Sequence, residues 1–74
     1  MSYKVSIVIE KDEFGYYAYS PELEGCQSKG DSLEEAMANI KEAIELYLET
    51  LPDDEKMERV SREILTTTLQ VQVA

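Results

Sequence analysis

A chain of 74 residues, 43% apolar and 31% charged, has the composition of one small folded domain and excludes a disordered tract. Sixteen acids against seven bases give a net charge of −9, which repels phosphate backbones, so no direct nucleic-acid contact is expected. With no histidine and one cysteine, Cys26, the chain lacks an ordinary Ser-His or Cys-His nucleophile system, an internal disulfide and a metal-ligand spacing. No apolar run reaches the roughly 18 residues needed to span a bilayer and the first residues carry no signal-peptide core, which predicts a cytoplasmic protein with no membrane contact. A single domain over 1–74 is marginally stable by itself, so self-association as a dimer or larger is expected.

Residues 3–10 alternate Tyr3, Val5, Ile7 and Ile9 against Lys4, Ser6, Val8 and Glu10, the period of a strand. The polar stretch 11–15 ends in Gly15 and reads as a hairpin loop. Residues 16–20 form a short aromatic second strand, with Tyr17 and Tyr19 on one face and Tyr16 and Ala18 on the other; one pair packs under a helix. Pro21 has no N–H for a ladder and Gly25 allows a tight return, so 21–25 is a loop with one apolar residue, Leu23, at its centre. Cys26 is read as a small buried side chain. Residues 26–29 are long enough for a third strand, and Gly30-Asp31 turns the chain.

The stretch 31–51 is a long amphipathic helix. At about 100° per residue it gathers Leu33, Ala36, Met37, Ile40, Ala43, Ile44, Tyr47, Leu48 and Leu51 on one arc to be buried. Ser32 is its N-cap, with Glu35 completing a capping box, and Pro52 stops it near Thr50. A second, shorter helix runs from 53 or 54 to about 63, acids first and Arg59 and Arg62 last, with Met57, Val60 and Ile64 marking its inner side. Residues 66–73 alternate Thr67, Leu69, Val71 and Val73 against Thr66, Thr68, Gln70 and Gln72, a final strand that closes the sheet or pairs across a dimer. The predicted architecture is α+β, β-β-β-α-α-β, a two-layer sandwich of a mainly antiparallel sheet with one long helix on one face.

Little in this inventory supports catalysis. Glu10, Asp12, Glu13, Asp31 or Glu34 could be nominated as metal ligands, but acids are so abundant that solvated surface is the expectation, with no cofactor and no enzyme activity. Two surfaces fit a basic protein partner better. One is the outer face of the long helix, where Glu35, Glu42 and Glu49 recur every seven residues beside Glu34 and Glu45, with Leu46 as an apolar contact. The other is a rim formed by Tyr17, Tyr19, Glu22, Leu23 and Glu24.

The run from Gly15 to Cys26, containing Pro21-Glu22-Leu23-Glu24-Gly25-Cys26, is followed by Gly30-Asp31-Ser32-Leu33-Glu34-Glu35-Ala36 and a helix carrying Asn39-Ile40 and Glu42-Ala43. In this combination and spacing, over about 3–49, the chain resembles the HicB family of antitoxins, in its short UPF0150-type form. The resemblance implies a partial RNase H-like fold without an active nuclease site. It also implies binding to HicA, a small basic toxin that cleaves mRNA and carries the catalytic histidine, whose active surface the antitoxin masks. Family members commonly continue into a helix-turn-helix or ribbon-helix-helix segment that represses the operon. No such segment follows here, so autorepression is not expected. The helical 53–65 region also departs from the family's short linker, which leaves a solo homo-oligomeric domain without a toxin as the other reading.

Overall fold

The structure, a computed structural model, describes residues 3–60 and 63–73. Strands β1 (Val8–Asp12) and β2 (Gly15–Tyr19) pair antiparallel from Val8 opposite Tyr19 to Asp12 opposite Gly15. The hairpin turns on Glu13 and Phe14, where the Phe14 N–H donates to Asp12 Oδ1 at 2.8 Å. Gly15, at φ 133°, takes a backbone conformation that a side chain would strain. Strand β3 (Gln27–Gly30) pairs antiparallel with β2, from Gln27 opposite Tyr19 to Gly30 opposite Tyr16, and the sheet order is β1-β2-β3.

Helix α1 (Leu33–Glu49) follows at once. Its N-cap is the expected Ser32, whose Oγ accepts from Glu35 N at 3.1 Å. Thr50 caps the other end, its hydroxyl donating to Tyr47 O at 2.6 Å, just before Pro52. The helix settles close on the sheet because Gly30 has no side chain: a Cβ there would collide with the Ala36 backbone. A short helix α2 (Asp53–Val60) completes the elements.

Period-2 geometry sends Ala18 and Tyr16 to the α1 side, where Ala18 joins Leu23, Cys26, Ala36, Ile40 and Ile44 in the core, with Val5, Ile7 and Ile9 packed against it. Of the two alternating pairs in β2 it is therefore Tyr16 and Ala18 that lie under the helix. The described elements form a three-stranded antiparallel sheet followed by two helices, the expected α+β class.

Four expectations need correction. The first strand begins at Val8 and not at residue 3, because β2 ends at Tyr19 and the chain kinks at Pro21, leaving residues 3–7 no ladder to join. The strand expected over 66–73 is absent: that segment has no strand structure and is exposed throughout, since its pairing needs an edge it does not reach. The inner face of α1 is narrower than the arc predicts. Leu33 and Met37 stay 49% and 41% exposed because α1 packs on β3 and β2, with no comparable packing on β1. Finally, α2 is described over Asp53–Val60, where Val60 packs on the core as expected while Met57 is exposed; the expected last turn, with Arg62, lies outside the described residues.

Candidate partner-docking site

The Pro21–Gly25 interruption shapes one end of the sheet. Ser20 N donates to Cys26 O at 3.1 Å and Cys26 N to Leu23 O at 3.0 Å, so the loop closes on itself before β3 begins. Gly25 supplies the left-handed turn at φ 91°, with open space around it. The loop is anchored from inside by Leu23, which is fully buried in the core. Glu22 is buried as well, its Oε1 accepting from Ser6 N at 2.6 Å, and this bond ties the unladdered residues 3–7 to the body.

These two placements correct the rim read from sequence. Leu23 is buried as the plug that holds the loop down and is not displayed at the surface. The Glu22 carboxylate is committed to a backbone N–H and not displayed to solvent. A single Leu amid polar residues carries no local signal that separates a plug from a contact, and Leu23's burial comes from α1, which is remote in sequence.

What remains of the rim is a true surface. Tyr17 and Tyr19 alternate to the sheet face away from α1, with ring centroids 5.7 Å apart and planes tilted by 37°. Tyr17 Oη donates to Gln27 Oε1 at 2.5 Å, which fixes the outer ring. The two rings, Ser20, Glu24 and Gln27 line a concavity of about 810 Å³, and its far wall is α2, through Glu55, Glu58 and Arg59. Sequence reading did not place α2 in the site. A usable signal was present, because Glu55, Glu58 and Arg59 recur at i, i+3 and i+4 and so share one side of the helix. The Ser20 hydroxyl is a buried side-chain polar atom without a hydrogen-bond partner among the described residues.

The other predicted surface is separate. Glu35, Glu42, Glu45, Leu46 and Glu49 are all exposed on α1, on the opposite side of the sheet from the tyrosines. Leu46 is 57% exposed, and the ion pair from Lys41 to Glu45 at 4.0 Å is solvated and worth little. The structure thus gathers Tyr17, Tyr19, Glu22 and Glu24 into one recess and leaves the helix stripe as a separate surface.

In chemical terms the recess offers aromatic faces beside carboxylates. That combination receives a guanidinium or an ammonium, which gains both cation–π and charge-assisted hydrogen-bond energy there. It offers no nucleophile, since burial pushes the Cys26 thiol up, away from the reactive thiolate. Among the described residues no group of three or more His, Cys, Asp or Glu is placed to hold a metal ion, and Glu10, Asp12, Glu13, Asp31 and Glu34 are all exposed. Among the same residues no helix is long and apolar enough to cross a membrane.

Comparison with known proteins gives the chain relatives. The sequence model of the HicB-like antitoxins of bacterial toxin–antitoxin systems matches residues 3–72. A UPF0150 protein of Helicobacter pylori is 63% identical over 51 residues, 69% of this chain and 71% of its own length. One from Archaeoglobus fulgidus is 48% identical over 63 residues, covering 84% of this chain and 91% of the relative. One from Thermoplasma acidophilum is 45% identical over 65 residues, covering 85% and 94%. No solved structure matches.

Proposed function

The chain belongs to the HicB-like antitoxin family of bacterial toxin–antitoxin systems, and from that premise we propose that it neutralises a small basic, HicA-type mRNA-cleaving toxin by binding it in the cytoplasm and masking its active surface. The role is stoichiometric binding, not catalysis. The observation that carries the docking mode is the recess of Tyr17, Tyr19, Glu24 and the α2 acids, which is concave, aromatic and anionic together. A toxin that must bind RNA presents arginine and lysine at its working surface, and a recess that takes those side chains occupies the groups the toxin needs for its substrate.

The net charge of −9 supports fast capture, because complementary potentials raise the encounter rate and salt lowers it. The test is an RNase assay with the basic toxin encoded beside this chain, titrated with the purified chain. The proposal expects cleavage to fall linearly to zero at a fixed stoichiometry. It expects the Tyr17→Ala, Tyr19→Ala double variant to need a large excess. Undiminished cleavage at saturating chain would overturn the function. Full inhibition by the double variant would overturn the docking mode alone.

A further inference from the structure

The hairpin end of the sheet carries a second concavity, of about 390 Å³. Two of its lining positions have no side chain. Gly15 sits at φ 133°, where a Cβ would also meet Gly30 O at 2.9 Å, and Gly30 is kept bare by the close approach of the Ala36 backbone. These bare positions open a notch to which the hairpin contributes Asp12 and Phe14, and the passage from β3 into α1 contributes Asp31 and Glu35.

The chemistry of the notch repeats that of the larger recess. Asp12, Asp31 and Glu35 are exposed, and among the described residues none of the three is in an ion pair. Asp12 Oδ1 accepts from the Phe14 N–H, which leaves its second oxygen and the other two carboxylates to a ligand. These acids outnumber the one cation of the lining, Lys29. Phe14, 85% exposed, and Tyr17 supply aromatic surface. An ammonium already rests on a ring here: Lys11 Nζ lies 5.4 Å from the centroid of Tyr16, which also lines the notch.

Tyr17 is a wall of both concavities. The strand fixes their separation, because from Tyr19 in the larger recess to Gly15 in the notch β2 advances four residues, about 13 Å. Glu10 stands opposite Tyr17 in the ladder and so shares its face, which keeps the path between them acidic. Resting on the reading of the larger recess as a cation site, we propose that the notch is its second subsite. The partner lays one extended segment past Tyr17, with two arginine or lysine side chains four residues apart, one in each concavity. An exposed carboxylate holds a single cation weakly in water, but two linked contacts multiply, since the second forms at the effective concentration the linker sets.

The experiment titrates the full chain, by NMR at low salt, with two capped five-residue peptides of equal charge. One has arginine at both ends and three threonines between; the other has its two arginines adjacent and cannot bridge. The spaced peptide is expected to bind about tenfold tighter or more, shifting the Gly15 and Gly30 amides together with those of Tyr19 and Gln27. Asp31→Asn with Glu35→Gln should make the two peptides equal, whereas Glu42→Gln with Glu45→Gln, which removes the same charge from the stripe, should preserve the difference. Equal affinities for the wild type, a difference that survives in the notch variant, or shifts confined to the Tyr19 end would overturn the second subsite and leave the larger recess standing. Shifts confined to the notch would overturn the larger recess and the bridge with it. A chain that discriminates the peptides yet leaves the toxin unbound would support the two subsites and overturn the toxin reading alone.

Discussion

Single residues decide what the Pro21–Gly25 loop can do. Leu23 is fully buried, so Leu23→Ala should cost about 2–5 kcal/mol in urea denaturation, a core effect and not a contact effect. Glu22 behaves differently, because its carboxylate holds one backbone N–H. Glu22→Ala should cost about 1–3 kcal/mol and release the Ser6 amide to fast hydrogen exchange while protection within α1 persists. Ser20 has a buried hydroxyl without a partner among the described residues, so Ser20→Ala should be neutral or stabilising, which is unusual for a buried polar position. Cys26 carries a pH signature. Burial raises its thiol pKa, so its contribution to stability is fully present below the unfolded thiol's value, about 8.5, and is lost as pH rises from there through the folded value. Cys26→Ala should remove that alkaline loss from urea midpoints measured across the range. Of these four only the burial of Cys26 is read from its residue type; the roles of Leu23, Glu22 and Ser20 appear once the helix and residues 3–7 close over the loop.

At the scale of elements, what is local was legible and what is remote was not. Helix α1 runs between the cap and the stop that Ser32 and Pro52 announce, because capping and the missing proline N–H act within one turn. Ser32→Ala should therefore cost about 1 kcal/mol, read from the thermal midpoint. The hairpin around Glu13-Phe14 was readable for the same reason. Strand limits were not, since a ladder ends where its partner ends: residues 3–7 have strand sequence, yet β2 stops at Tyr19. Residues 66–73 show the same limit in stronger form, a strand pattern that pairs with neither edge of the sheet. The breadth of the α1 face was overestimated because amphipathicity reports which side can be buried, while Met37's exposure follows from where the helix lies across the sheet.

For the whole molecule, charge and shape act together. A net charge of −9 makes attraction toward a basic partner general, and the larger recess that pairs acids with aromatic rings is the one beyond Tyr17 and Tyr19, about 810 Å³ against about 390 Å³ for the one lined by Asp12, Phe14, Tyr16, Asp31 and Glu35. The helix stripe contributes to the long-range field, and of its acids Glu35 alone lines the smaller recess. Steering and docking are thus separable, and salt should slow association without greatly changing dissociation. The family and the α+β class were both readable from sequence, through the Pro-x-Leu-x-Gly-Cys and Gly-Asp-Ser-x-x-Glu-Ala pair. The far wall of the recess was not, because α2 and Tyr17 come to line one concavity only through the fold.

The most direct measurement is stopped-flow association of the partner toxin with two charge-reversed chains. Glu24→Lys with Glu55→Lys, in the recess, should slow association about tenfold or more and speed dissociation, whereas Glu42→Lys with Glu45→Lys, on the stripe, changes the charge equally and should affect association alone, less strongly. The opposite order, with the stripe pair abolishing the complex and the recess pair leaving dissociation untouched, would contradict the account and move the docking surface to α1.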